Sequence, residues 1–321
     1  MGTITPYETA KGRRYRVRYR KPDRTQTDKR GFRTKREAEL YLSSVTIAKA
    51  TGDYIDPALS KATVGFFAPG WLRSKHPPML KPSSYAALEH SWNKYVQPVW
   101  AHRELSSIQR SEVQAWVAEL ASRKSHTVVL RALGVLAGIL DVAVDDRRLG
   151  SNPARNVRNL PRRTYAKPRV YLSHQQVSTL AACSAHQTLV LVLAYTGLRW
   201  GEATALRVRS VNRLRRRFNV EENAVLVGWR IYVGTPKTHE KRSVPYPERL
   251  APLIDAACAG KGPDGLLFGN GLTHMKNEAD DRGWFATAVR RAQRIDPLMP
   301  RVTFHDLRHT AASLAISSGA N

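Results

Sequence analysis

The first sixty residues alternate apolar and basic side chains in the way that a half-buried strand requires. Between residues 14 and 20, one strand face is apolar and the other carries four arginines. The apolar residues are Tyr15, Val17 and Tyr19, and the basic ones are Arg14, Arg16, Arg18 and Arg20. Strands are also predicted at residues 3–7 and 25–32, and Thr34 with Glu37 predicts the start of a helix that ends at Gly52. We expect a small three-stranded sheet plus one helix over residues 1–57.

Residues 61–152 change to helical periodicity, with apolar positions every three or four residues. One stripe contains Tyr85, Leu88, Trp92, Tyr95 and Val96, the next Val113, Trp116, Val117 and Leu120, and the third Val129, Leu133, Leu136, Leu140 and Val144. Residues 63–75 have the same spacing, but Pro69 and Gly70 predict a break in that helix. These stripes are typical of the core of a small helical bundle.

The remaining chain divides into a basic tether and a mixed domain. Residues 153–169 contain three prolines and six basic residues without an acidic one, which favours a linker. In residues 170–321, the apolar run from Leu189 to Ala194 predicts a buried helix, which Gly197 would end in a left-handed cap. Short strands are predicted at residues 224–227, 231–233 and 242–244, with a turn near Pro236. The predicted fold class is α+β and multidomain.

The charge balance indicates which kind of partner the protein binds. The 321 residues include 52 Lys and Arg against 26 Asp and Glu, a formal net charge of +26. Nucleic acid is the polyanion that best matches such a surplus. A membrane surface is the alternative, but no apolar run approaches the roughly 18 residues of a span and no signal-peptide core is evident, so we expect a cytoplasmic protein. Cys183 and Cys258 are far apart and indicate neither a disulfide framework nor a zinc ribbon.

Candidate DNA contacts occur in each segment. The four arginines of the first strand would repel one another unless an anion lay between them, although a solvated strand edge is the alternative. The helical segment and the tether add Lys81, Lys94, Arg123, Lys124, His126, Arg131, Arg162 and Arg163 as candidate phosphate contacts. The tether could instead be only a flexible linker.

Two motifs about a hundred residues apart carry the candidate chemistry. Residues 196–202 read Thr-Gly-Leu-Arg-Trp-Gly-Glu, and residues 303–310 read Thr-Phe-His-Asp-Leu-Arg-His-Thr. In the second motif Thr303 and Asp306 predict a helix start that places His305 and Arg308 on one exposed face. Arginine donates two parallel hydrogen bonds to phosphate oxygens, so this chemistry suits phosphoryl transfer. A zinc site would need Glu after the first histidine, where Asp306 stands, and no third ligand is evident.

These motifs, together with Thr235-Pro236-Lys237-Thr238 and the following Arg242-Ser243-Val244-Pro245, resemble the catalytic domain of tyrosine recombinases of the phage integrase family. The resemblance implies an arm-type DNA-binding domain at 1–57, a core-binding domain at 61–152 and a catalytic domain at 170–321. It also implies site-specific recombination of attachment-site DNA, as in phage integration and excision, without metal or nucleotide cofactor. A homotetramer on DNA, a host DNA-bending factor and an excision factor are the implied partners.

The resemblance also implies roles for individual residues. Arg199 and Arg308 would hold the non-bridging oxygens of the scissile phosphate, His305 would assist them, and Lys237 would protonate the departing 5′ oxygen. Glu202 would support Arg199, whereas Asp306 and His309 would be structural and point away from the shared face.

The nucleophile is the departure from the family pattern. The last tyrosine is Tyr246, before the second motif, so none is assigned and we expect a chain cut short of its nucleophile. The alternatives are a non-catalytic DNA-binding, architectural or repressor protein that reuses the fold, and a tyrosine-type topoisomerase.

Overall fold

The computed structural model describes residues 2–162, 168–235, 241–277 and 282–319. The chain divides into two compact units, Met1–Thr164 and Tyr165–Asn321. Lys237 and Arg163 lie outside the described residues, so the predictions made for them are not addressed by the structure.

The first unit begins with a three-stranded antiparallel sheet covered by one helix, as predicted. Strands β1 (Thr3–Tyr7), β2 (Arg14–Arg20) and β3 (Gln26–Phe32) pair in that order, and helix α1 (Lys35–Thr51) follows. The Thr34 side chain accepts a hydrogen bond from the Glu37 backbone N–H at 3.1 Å, which starts α1. Val17 and Tyr19 of β2 pack with Ala38 and Val45 of α1. Burial of these residues leaves the arginine positions of β2 on the other face.

A helical bundle completes the first unit. Its elements are α2 (Val64–Ser74), α3 (Pro82–Ser91), a π-helical turn at Trp92–Val96, α4 (Gln97–Trp100), α5 (Arg110–Arg123) and α6 (His126–Asp145). The predicted break at Pro69 is wrong, because α2 continues through it. Pro69 and Gly70 lie on the exposed face, and burial of Phe67 and Trp71 on the other face outweighs the lost hydrogen bond.

Helix α6 is the centre of this bundle and corrects a second expectation. Within the described residues it is the one helix that is long and apolar enough to cross a membrane by length and composition. Half of that apolar window is buried inside the protein, including Leu136, Ile139 and Leu140. Its hydrophobicity therefore reflects the core of the bundle.

The predicted tether differs from the structure at its start. Ala154 and Val157 are buried in the bundle core, and the Asn152 side-chain amide donates to the Ala137 carbonyl at 2.8 Å. Arg155 forms an ion pair with Asp141, an acidic partner supplied by α6 and not by the segment itself. Residues 153–157 therefore pack as part of the bundle.

Where the structure describes it, the second unit is mainly helical with two small antiparallel sheets. Its helices are α7 (His174–Ala182), α8 (Gln187–Thr196), α9 (Trp200–Ala205), α10 (Ala251–Cys258), α11 (Trp284–Ile295) and α12 (Phe304–Ser317). Its strands are β4 (Val211–Asn212), β5 (Arg217–Val220), β6 (Asn223–Val227), β7 (Arg230–Gly234) and β8 (Arg242–Pro245). The three strands predicted for residues 224–244 are present as β6, β7 and β8. Within the described residues, β6 and β7 form a hairpin, whereas β8 pairs with β5.

Candidate active site

The first arginine motif is shaped by the end of one helix and the start of the next. Helix α8 ends at Gly197 in the left-handed conformation, with φ of 63°, and Arg199 precedes α9. The backbone N–H of Arg199 donates to Glu202 Oε2 at 2.9 Å, and its Nη1 donates to Glu202 Oε1 at 2.9 Å. The Glu202 side chain is fully buried, whereas that of Arg199 is 35% exposed. A buried carboxylate thus fixes a guanidinium that stays partly open to solvent. The sequence predicts the proximity of Glu202 to this guanidinium but not the burial of the carboxylate.

The second motif forms the first turns of α12. Asp306 Oδ2 accepts hydrogen bonds from the Thr303 backbone N–H at 2.8 Å and from its hydroxyl at 2.7 Å, which confirms the predicted helix start. His305, the second residue of α12, is exposed, and Arg308 is half-buried. Arg308 Nη1 donates to the Gly197 carbonyl, so the second motif is bonded directly to the turn that precedes the first.

The two motifs meet at one cleft of about 420 Å³. Arg199, His305 and Arg308 all line it, together with the hairpin residues Ala224 and Ile231. Gly201 lets the hairpin approach, because a Cβ there would lie 2.4 Å from the Ala224 carbonyl oxygen. The remaining lining residues are Leu198, Trp200, Gly201, Asn223, Val225, Leu226, Met275, Asn277 and Phe304.

The electrostatics of the cleft favour an anion. Burial lowers the pKa of Arg308, and the nearby positive charge of Arg199 lowers it further. Two guanidiniums that repel each other in a half-buried cleft are stabilised by a bound anion, and arginine remains charged at any physiological pH. The cleft is therefore suited to a phosphate group.

A cluster of aromatic side chains packs at the cleft, and two of its members, Trp200 and Phe304, line it. The Phe304 ring lies with its centroid 4.1 Å from that of Trp200 and 4.1 Å from that of Phe285, and Trp284 packs beside them at 5.4 Å from Phe304. This cluster joins α9, α11 and α12. It fixes the two helix starts that present the arginines.

His305 and His309 lie against each other in the first two turns of α12. The rings of His305 and His309 lie edge to face with centroids 4.7 Å apart, so His309 does not point fully away from His305 as the sequence suggested. Burial is the main cause that lowers the pKa of His309, and neighbouring His305 adds to it. Among the described residues, no group of three or more His, Cys, Asp or Glu is placed to hold a metal ion.

Sequence reasoning missed one arginine of this site. Arg242, the first residue of β8, donates from Nη1 to Glu202 Oε1 at 3.0 Å and from Nη2 to Oε2 at 2.6 Å. The sequence contained only an indirect signal, namely its place five residues after Lys237. Its partner is 40 residues away, so no local pattern connects the two.

The candidate DNA contacts of the first unit are distributed over separate surfaces. Arg18 and Arg20 are exposed on β2, whereas Arg16 Nε donates to the Thr5 hydroxyl at 3.3 Å and Arg14 is half-buried. Lys94, Arg123 and Lys124 line one groove of about 240 Å³, with Arg123 also paired to Glu119. Lys81 precedes α3, His126 is the first residue of α6, and Arg131 and Arg162 are exposed.

Comparison with known proteins indicates the same family that the motifs lining the cleft resemble. The model of the phage integrase family matches residues 171–321, and that of the phage integrase central domain matches residues 66–160. A putative prophage phiRv2 integrase of Mycobacterium tuberculosis is 27% identical over 323 residues, covering 96% of this chain and 83% of the relative.

Two solved integrase structures have a fold similar to that of this chain. The Tn1549 transposon integrase in complex with a circular intermediate DNA has a TM-score of 0.66 and 19% identity, over 81% of this chain and 88% of that one. A lambda integrase tetramer bound to a Holliday junction has a TM-score of 0.56 and 14% identity, over 97% and 90%. With both family models matching in order and the two arginine motifs meeting at one cleft, the chain belongs to the phage integrase family of tyrosine recombinases.

Proposed function

We propose that the cleft holds the scissile phosphodiester of an attachment-site duplex during site-specific recombination, as in the integration and excision of a phage genome. The observation that carries this proposal is the convergence of Arg199, His305 and Arg308, from motifs about a hundred residues apart, on one cleft. The guanidiniums of Arg199 and Arg308 would hold the non-bridging oxygens and stabilise the charge that grows in the transition state.

The proposed reaction is a transesterification. A tyrosine hydroxyl attacks the phosphorus, the bond from phosphorus to the 5′ oxygen breaks, and a 3′-phosphotyrosyl link stores the energy for rejoining. We assign Lys237 as the proton donor to the leaving 5′ oxygen and His305 as an assisting group at the phosphate. Tyr246 does not serve as nucleophile, because it is 5% exposed and packs in the core against Phe218.

We also propose the substrate, the assembly and the protein partners of this reaction. The names of the solved relatives, a lambda integrase tetramer on a Holliday junction and a Tn1549 integrase with DNA, support duplex DNA as substrate and a tetramer as the reacting assembly. We add a host DNA-bending factor and an excision factor as proposed partners, and the cytoplasmic nucleoid as the place of reaction.

Neutralising single phosphates of the DNA tests the proposal. A duplex with the preferred site, selected from a random library, is synthesised with a methylphosphonate at one position at a time, and binding is measured for the native chain, Arg199→Ala and Arg308→Ala. We expect one phosphate whose neutralisation weakens native binding and has no further effect in either variant. If no phosphate couples to both arginines, the cleft does not hold the scissile group and a non-catalytic DNA-binding protein is the better explanation.

A nicked suicide substrate tests the nucleophile. Residues 1–321 include no tyrosine after Arg308, so this chain should bind the nicked duplex and form no covalent adduct on a denaturing gel. An adduct would show that a tyrosine within residues 1–321 reacts.

A further inference from the structure

Arg242 and Arg199 share one buried carboxylate in different ways. Arg242 places two parallel hydrogen bonds on Glu202, at 3.0 and 2.6 Å, whereas the Arg199 side chain contributes one, at 2.9 Å, from Nη1. Two-point geometry is available to a guanidinium and not to an ammonium group. Arg242 is therefore the principal partner of Glu202.

This arrangement sets the charge that Arg199 presents to the cleft. One carboxylate cannot neutralise two guanidiniums, so the three side chains retain a net charge of about +1. Arg199 lines the cleft, and Arg242 is not among the described residues that do so. The surplus charge is thus available on the arginine that faces the anion.

Arg242 helps to keep the buried carboxylate ionised. Burial alone would raise the pKa of Glu202, but hydrogen bonds from Arg242 and then from Arg199 lower it below its usual value. Other charged groups also face Glu202: Arg308 across the cleft, and Arg207, Arg209, Glu221 and Glu222 around a small pocket behind it.

We propose that Arg242 is a positioning residue for the reaction: through the buried carboxylate of Glu202 it fixes the Arg199 guanidinium against the bound phosphate. This inference rests on the function proposed above.

The test compares Arg242→Ala, Arg242→Lys and Glu202→Gln with Arg213→Ala. Arg213 is the matched control, since it pairs with Asp255 at 2.7 Å and both side chains are more than half exposed. In each chain of residues 1–321, the guanidinium NMR signals of Arg199 report how rigidly it is held, and inorganic phosphate is titrated against those signals. Circular dichroism checks that each variant folds.

In Arg242→Ala we expect exchange-broadened Arg199 signals and phosphate binding weakened about tenfold or more, by analogy with the loss of a residue that orients a metal ligand. Arg242→Lys should restore part of the affinity, because it returns the charge without the second hydrogen bond. The pKa of Glu202 should rise in Arg242→Ala and not in Arg213→Ala, and the titration should be absent when Arg242→Ala is combined with Glu202→Gln.

One result would contradict the positioning role of Arg242, and a different result would contradict the proposed phosphate site. Arg242 does not position Arg199 if Arg242→Ala leaves the Arg199 signals and the titration of Glu202 like those of Arg213→Ala. Where the alanine variant does not fold, Arg242→Lys is judged in the same way. If native Arg199 is rigid but phosphate leaves its signals unchanged, the proposed phosphate site is wrong, while the contact through Glu202 stands.

Discussion

At the scale of single residues, a buried carboxylate that is shared by two guanidiniums dominates the site. Glu202 is fully buried, and its oxygens accept hydrogen bonds from Arg199 and Arg242. Removing one member of such a group leaves charges buried without compensation, which costs more than the group contributes when complete. The energetic importance of Glu202 should therefore appear in stability as well as in phosphate binding.

Replacing Glu202 by alanine should lower the free energy of unfolding by about 3–5 kcal/mol. The matched control is Glu248→Ala, because Glu248 pairs with Arg216 at 2.7 Å but is 83% exposed, and its loss should cost less than about 1 kcal/mol. Urea denaturation measures both. Equal costs for the two variants would mean that Glu202 is not held as the structure describes.

Acidification should weaken the protein partly through Glu202. Its pKa in the folded protein lies below the usual 4.5, so the ionised carboxylate stabilises the fold above that pH, and this contribution is lost as pH falls through the folded pKa. The difference in free energy of unfolding between the native chain and Glu202→Gln should be constant above the usual pKa and should shrink as the pH falls below it. A difference that does not change with pH would contradict this assignment.

The sequence allowed prediction of the site residues that lie in recognisable local motifs. Arg199, His305 and Arg308 stand at helix starts with recognisable caps, and those caps are present in the structure. Arg242 has no such signature, since its importance comes from a carboxylate 40 residues away. The roles themselves, and the location of Lys237, stay predictions.

At the scale of elements, close packing depends on a few glycines. On α6, a Cβ at Gly138 would lie 2.7 Å from the Trp71 indole of α2, whereas at Gly134, one turn earlier and exposed, it would meet open space. The side-chain pattern predicted α6 but not this contact, because the partner of a glycine leaves no trace in its own helix. The same limit explains the wrong prediction at Pro69, because packing of α2 against α6 overrode the local preference of proline. It also explains why the pairing of β8 with β5 was not predicted, since that pairing is long-range.

These two glycines make a matched pair of substitutions. Gly138→Ala should destabilise the protein by about 1–3 kcal/mol, because the indole must move. Gly134→Ala should stabilise it by up to about 1 kcal/mol, because alanine is the better helix former. Thermal denaturation distinguishes them. Two changes of the same sign would argue against the close contact between α2 and α6.

At the scale of the whole molecule, the surplus of positive charge should determine how tightly DNA is bound. Each phosphate that a basic side chain neutralises releases counterions, so the logarithm of the association constant falls with the logarithm of salt concentration. Basic side chains are exposed in both units, including Arg18 and Arg20 on β2 and Arg301 before α12. A net charge of +26 over 321 residues is consistent with many such contacts.

Replacing both Arg18 and Arg20 by alanine should reduce the steepness of that salt dependence. If both contact phosphates, the slope should become less negative by about 1.8, or 0.9 for each contact. Fluorescence anisotropy at several salt concentrations measures the slope, with Arg213→Ala as the control that leaves it unchanged. An unaltered slope in the double variant would mean that this strand face does not meet the DNA backbone.

The hydrogen bond from Arg308 to the Gly197 carbonyl has a consequence for biosynthesis. The turn at Gly197 leaves the ribosome more than a hundred residues before Arg308 does, and the carbonyl has no such donor until α12 has been made and folded. A nascent polypeptide therefore carries the first motif without a finished anion cleft. Ribosome-bound chains of increasing length should therefore begin to bind phosphate only after α12 has emerged, which pulse labelling of such chains would measure.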